Sequence, residues 1–168
     1  HGLRNVFGSQ YDDAEMEEKD GCGLVVINDK GYRYDRYRGR VIFPIRNRRG
    51  QVISFGARTM VPDEVPKYIN GPETVIYHKG LEIYGLFEAY DAIRKKGRAI
   101  VCEGYMDVIQ LAQAGFEEAV AALGTSITPD HVHKLLKTTD KIYFSFDGDG
   151  AGQKALRRAL IAALPVVG

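Results

Sequence analysis

Three acidic residues of this chain stand where strands are expected to end. Asp147 and Asp149 flank Gly148 after the run Lys141-Ile-Tyr-Phe-Ser-Phe146, and Glu103 closes the apolar run Ala99-Ile-Val-Cys102. In an open parallel sheet the carboxyl ends of the strands share one rim, where ligands bind. The three acids can therefore meet although Glu103 and Asp147 lie 44 positions apart. Crowded carboxylates repel one another, and burial protonates them unless a cation is near. A hard divalent ion such as Mg²⁺ resolves that conflict. Asp107, one helical turn beyond Glu103, is expected near the same rim. The competing reading of Asp147-Gly-Asp149 is a turn in which Asp149 caps the helix that follows.

Other residues offer weaker chemistry. Gly124-Thr-Ser126 reads either as one wall of the acidic pocket or as a plain strand-to-helix turn. His131 and His133 are two apart, face different ways on a helix, and do not form a metal pair. Arg58, Lys67, Tyr68 and Lys79 are of the types that hold phosphates or stack on bases.

The elements that must position these residues fall into two parts. Residues 1–20 are polar and acidic, with Asp12, Asp13, Glu15, Glu17, Glu18 and Asp20, and read as a short helix or irregular lead-in. Leu24–Ile27 reads as a strand and Asn28–Gly31 as a turn. Arg40–Arg46 and Gln51–Arg58 read as a hairpin, with Pro44 placing the first strand at an edge. Residues 62–80, rich in Pro and Gly, read as a long loop carrying Lys67, Tyr68, Asn70, Glu73, His78 and Lys79. A helix is expected over 81–96.

From Arg98 strands and helices alternate. Strands are expected at 98–102, 119–122 and 141–146, and helices at 105–114, from Thr128-Pro129 to about 136, and at 151–164. The last helix carries an apolar stripe of Ala155, Leu156, Ala159, Leu160 and Ala163, with Lys154, Arg157 and Arg158 on its other side. This order implies a mostly parallel α/β sheet with right-handed crossovers. The boundary between the parts is placed near residue 97.

The totals exclude several classes. The 168 residues, 45% apolar and 27% charged, suit an ordinary globular composition. No apolar run approaches the ~18 residues that span a bilayer. No secretory leader is read, and the start at His1 without Met suggests a piece of something longer. Cys22 and Cys102 form no zinc-type pair and read as reduced, buried thiols of a cytosolic protein. The net charge of +1 hides an asymmetry: residues 1–29 carry −5, residues 30–60 carry +8 and residues 61–168 carry −2. A +8 block suits either a polyanion partner or a solvated basic face.

Glu103-Gly-Tyr-Met-Asp107 and Phe146-Asp-Gly-Asp-Gly-Ala-Gly152 resemble the two acidic motifs of the Toprim domain. Arg40–Arg46, Pro66–Asn70, Pro72–Thr74, His78–Gly80, Tyr84–Leu86 and Leu123–Ser126 resemble stretches of bacterial DnaG-type DNA primases, in that family's order. The resemblance covers roughly residues 21–166. It implies an α/β fold: a Toprim-type, mostly parallel sheet flanked by helices over 98–168, truncated at its carboxyl end, preceded by a smaller basic α+β lobe over 1–97. It implies a nucleotidyltransferase that makes short RNA primers on single-stranded DNA with Mg²⁺ or Mn²⁺, and no zinc in this stretch. Glu103 takes the catalytic position through metal, with Asp147, Asp149 and Asp107 as further metal carboxylates. Arg58, Lys67, Tyr68, Asn70 and Lys79 match positions that engage ribonucleoside triphosphate or template. The implied setting is a monomer in the bacterial cytoplasm at the replication fork, without membrane contact. The replicative helicase and single-strand-binding protein would dock through domains not in this chain. The family's further acidic cluster after the last helix lies past Gly168. The rival readings are another Toprim enzyme (topoisomerase or nuclease), a phosphatase using Asp147 as nucleophile, and a non-catalytic nucleic-acid-binding module.

Overall fold

The computed structural model describes residues 2–17 and 21–167. Glu18 and Asp20, part of the acidic lead-in, lie outside the described residues. The chain forms two compact units, His1–Pro44 with Ile53–His78, and Ile45–Val52 with Lys79–Gly168.

In the first unit a short helix α1 (Gly2–Phe7) runs into 3₁₀ turns at Gly8–Asp12 and Ala14–Met16. Strands β1 (Val25–Ile27) and β2 (Arg33–Asp35) pair antiparallel, with Val26 opposite Tyr34. The Asn28 side-chain oxygen closes their turn by accepting the N–H groups of Lys30 and Tyr32. Tyr11, Met16 and Val25 form a small core with Leu3, Phe7 and Leu24 packed against it. Arg33 ties this core together by pairing with Glu17 and donating to the Tyr11 and Asp13 carbonyls.

Strands β3 (Arg40–Arg46), β4 (Val52–Thr59) and β5 (Tyr68–Asn70) form a sheet in the order β3-β4-β5. Pro44 thus lies on an edge strand, as its missing N–H requires. Neither β2 nor β5 is visible in local pattern. β5 sits inside a stretch dense in breakers and is a strand because it pairs with β4, Gly56 opposite Asn70 and Arg58 opposite Tyr68.

The second unit is built on a parallel sheet, β7-β6-β8, formed by β6 (Ala99–Cys102), β7 (Ala119–Ala121) and β8 (Ile142–Phe144). Helices α2 (Leu86–Lys96), α3 (Tyr105–Gln113), α4 (Pro129–Leu136) and α5 (Gly150–Val167) accompany it. Ala99 and Val101 of β6 point into a core shared with Ile83, Leu86, Ala89, Ile93, Val120 and Leu135, closed by Phe144 and Phe146. Helix α2 begins five residues later than the expected helix. Tyr84 is drawn into mutual backbone bonds with Ala121 beside β7, and Gly85 turns with φ 81°.

Two further expectations are corrected. Leu160 is half exposed rather than part of a buried stripe; α5 is held by the small residues Gly152, Ala159 and Ala163. Cys22 is exposed, and Cys102 alone of the two cysteines is buried. Among the described residues no helix is long and apolar enough to cross a membrane.

Candidate active site

The sheet register fixes the site. Val101 of β6 stands opposite Phe144 of β8, and the Ser145 N–H donates to the Val101 carbonyl. Both chains leave the sheet at the same level, which carries Glu103 to the turn after Phe146. There Glu103 Oε1 accepts the Asp147 backbone N–H at 2.7 Å. Asp107, in the first turn of α3, reaches back to accept the Gly104 N–H at 3.2 Å. Glu103, Asp107 and Asp147 line one cavity of about 280 Å³ with Cys102, Gln110, Leu111, Ser145 and Phe146. Burial, and then the Asp107 charge, push the Cys102 thiol up to about 11, so it remains neutral wall.

Asp149 does not join this cavity. Its Oδ1 accepts the Gly152 N–H at 2.7 Å and its carbonyl accepts from Gln153, so it caps α5. Gly152 is pressed against the turn. A Cβ there would lie 2.0 Å from the Asp147 carbonyl oxygen. Among the described residues no three acids, His or Cys converge closely enough to cage a metal. Glu103, Asp107 and Asp149 each commit one oxygen to a backbone N–H and keep the other. The donor set still fits a hard cation. Mg²⁺ is typically held by one or two carboxylates, with waters and substrate phosphates completing its shell.

Thr125 and Ser126 do form a wall, but of a second cavity of about 210 Å³ that Glu103 also lines, shared with Cys102, Ala122, Ile127, Phe146, Ala155 and Arg158. Lys79 lies in the same unit, and its backbone is clamped. His131 Nε2 bonds the Lys79 carbonyl at 2.7 Å, and the Thr128 hydroxyl donates to the Gly80 carbonyl at 2.7 Å. The Thr128 N–H donates to His131 Nδ1, which leaves the imidazole proton on Nε2. Burial holds His131 below the ordinary histidine range. Sequence reading set His131 aside as a metal ligand and missed this role; the signal was its place three residues after the cap Thr128.

The other predicted binding residues belong to the first unit. Arg58 and Tyr68 are cross-strand partners, and the Arg58 guanidinium and Lys67 ammonium lie 6.0 and 5.8 Å from the Tyr68 ring. Asn70 follows Tyr68 by two and shares its face of the strand. Arg58 Nε and Asn70 Oδ1 are buried without a hydrogen-bond partner among the described residues. Unmet polar atoms of this kind suit a face built to receive a polar ligand.

Comparison with known proteins fits this geometry. Residues 3–90 match the family model of the DNA primase catalytic core, N-terminal domain, and residues 97–165 that of the Toprim domain. The chain is 54% identical over 141 residues to a DNA primase of Neisseria meningitidis, and 52% over 144 residues to that of Escherichia coli K12. These alignments cover 84% and 86% of this chain but 24% and 25% of the relatives, so the chain spans about a quarter of their length. The solved E. coli primase catalytic core superposes with TM-score 0.86 at 46% identity, covering 96% of this chain and 52% of that one. A DnaG primase catalytic domain bound to single-stranded DNA gives 0.84 at 45% identity, with 96% and 50% covered. The chain belongs to the bacterial DNA primase catalytic-core family, its second half a Toprim domain.

Proposed function

We propose that this chain is the nucleotide-joining part of a DNA primase that makes short RNA primers on single-stranded DNA. The observation that carries the reading is the junction of Glu103 with the Asp147 turn over a cavity that Asp107 also lines. We place the working boundary at residue 97, a basic lobe before it and the Toprim part after it.

In the reaction the 3′-oxygen of one ribonucleotide bonds to the α-phosphorus of the next. The bond from that phosphorus to the β-phosphate oxygen breaks, pyrophosphate leaves with the electron pair, and the hydroxyl proton passes to solvent. A bound Mg²⁺ or Mn²⁺ supplies neutralising charge for the entering and leaving oxygens. Glu103, Asp107 and Asp147 would hold it, and Asp149, whose Oδ1 accepts the Gly152 N–H, would offer its other oxygen. Lys79, set by the clamp from His131 and Thr128, contacts the triphosphate. Arg58, Lys67 and Tyr68 offer two cations and a ring to nucleotide or template, and Asn70 offers an amide. The basic block over residues 30–60 guides the template by phosphate contact, which positions without reading sequence. The whole protein works in the bacterial cytoplasm with a replicative helicase and a single-strand-binding protein, and as a monomer.

The test is template-directed incorporation of labelled ribonucleotides by the whole protein carrying Glu103→Gln. Loss of synthesis supports the assignment, and undiminished synthesis overturns it.

A further inference from the structure

The loop that carries Lys79 is held from outside itself. After Lys79 its first buried apolar side chain is Ile83, and Leu81 between them is 42% exposed. Apolar burial therefore does not fix the backbone of Lys79 and Gly80. Helix α4 does. His131 Nε2 donates to the Lys79 carbonyl and the Thr128 hydroxyl to the Gly80 carbonyl, each at 2.7 Å. The Lys134 ammonium pairs with the Glu82 carboxylate at 3.1 Å. Thr128, His131 and Lys134 recur every third position, so one face of α4 makes all three contacts. The helix is itself anchored, with Val132 and Leu135 buried and Leu135 part of the core over the parallel sheet. At the far end of the loop Tyr84 and Ala121 exchange backbone bonds of 2.8 and 3.1 Å.

This grip has one titratable member. His131 is fully buried and both ring nitrogens are engaged, Nδ1 accepting the Thr128 N–H at 3.1 Å and Nε2 donating to Lys79. A second ring proton would set N–H against N–H at Thr128, so the ring must leave its seat to take one. The charged residues around it are Asp130 and Lys134 on α4, with Lys79 and Glu82 meeting it from the loop through their backbones. Asp130 favours the imidazolium and Lys134 opposes it; burial is the largest influence and keeps the ring neutral.

We propose that His131 is a positioning residue for nucleotide capture, setting Lys79 through the Lys79 carbonyl without touching the nucleotide. This role rests on the reading of Lys79 as a triphosphate contact. Its consequence is that ribonucleotide affinity weakens in acid, because protonation of the ring releases the loop.

Primer synthesis by the whole protein is measured against ribonucleotide concentration between pH 7.5 and 5.5, for the parent, His131→Gln and Lys79→Met. Single-stranded DNA binding and the thermal midpoint are read alongside. At pH 7.5 His131→Gln is expected to raise KM about five- to tenfold, with kcat changed less than about twofold. DNA binding stays as in the parent. Glutamine does not titrate, so the KM ratio of variant to parent shrinks toward unity as pH falls below the ordinary histidine value of 6.5. A general weakening of the fold does not produce that convergence. If Lys79→Met raises KM while His131→Gln leaves it unchanged, Lys79 keeps its role and the positioning by His131 falls. If Lys79→Met leaves KM unchanged, the reading of Lys79 falls and His131 loses its role with it. A KM ratio constant across pH overturns the proton dependence. Where His131→Gln melts below the assay temperature, Thr128→Val and Thr128→Ser decide: the valine variant should raise KM and the serine variant restore it, and equal values in both overturn the grip.

Discussion

Glu103 Oε1 accepts the backbone N–H of Asp147 at 2.7 Å, across 44 positions of sequence. One side chain thereby ties the end of the central strand to the turn that carries the other acids. Glutamine offers an oxygen to the same N–H but no charge. Glu103→Gln should leave the thermal midpoint within ~2 °C of the parent. It should lower ribonucleotide incorporation on the order of a hundredfold or more. A calorimetric melt and a primer-synthesis assay on the same preparation separate the two effects.

Gly152 is needed for space rather than for an unusual backbone angle. A methyl group there meets the Asp147 carbonyl oxygen at 2.0 Å, and backbone must yield. Gly152→Ala should cost about 1–3 kcal/mol of stability. It should also displace the Asp147 turn, so synthesis should fall further than instability alone explains. Chemical denaturation beside an activity assay at low temperature checks this. A variant that loses stability but keeps full activity refutes the link between helix seat and acidic turn.

Glu118 is a fully buried carboxylate, bonded by Lys96 at 2.7 Å and Arg98 at 2.9 Å. Burial opposes its ionisation, but hydrogen bonds from Lys96, its own backbone and Arg98 outweigh that and hold it below the ordinary value of 4.5. The unfolded chain then binds the extra proton first. The contribution of Glu118 is full above about pH 4.5 and is lost as pH falls below it. Glu118→Gln should destabilise by about 1–3 kcal/mol at pH 7, since both cations are partly exposed. Its melts should also depend less on pH between 5 and 3 than those of the parent.

His131 acts in a different window. Burial, and the charge of Lys134, hold it below the ordinary 6.5, against the pull of the Lys79 and Glu82 backbone and of Asp130. The folded state keeps it neutral while the unfolded chain protonates near 6.5. Its contribution is complete above about pH 6.5 and declines as pH falls from there. His131→Gln should flatten the stability profile between pH 7 and 5. It should also loosen the Lys79–Gly80 backbone, read as faster amide exchange of that loop at pH 7.5. An unchanged profile would show that the imidazole does not titrate with unfolding.

Much of the second unit was legible because its elements announce themselves locally. Apolar runs ending on acids gave β6 and β8, and Thr128-Pro129 gave the start of α4. What stayed hidden depends on distant partners. Tyr84 reads as helix until Ala121 claims its backbone, and Tyr68–Asn70 reads as loop until β4 pairs with it. Leu160 fits a helical stripe, yet half of it stays exposed. In the site, the approach of Glu103 to Asp147 follows from strand ends, whereas the turn of Asp149 onto Gly152 is a choice between cap and cavity that residue types leave open. Arg158 read as one of several solvated basics on the outer side of its helix, because a cavity wall has no sequence period.

The placement of β6 between β7 and β8 has a consequence for motion. A middle strand must lose neighbours on both flanks before its amides meet water, so it exchanges hydrogen late. Glu103 hangs directly from that slowest segment, while Asp147 and Asp149 ride on an exposed turn beyond a three-residue flanking strand. The acidic rim is thus half anchor and half hinge: adjustments to any ligand bound there would fall to the aspartates, and the glutamate would keep the frame of reference.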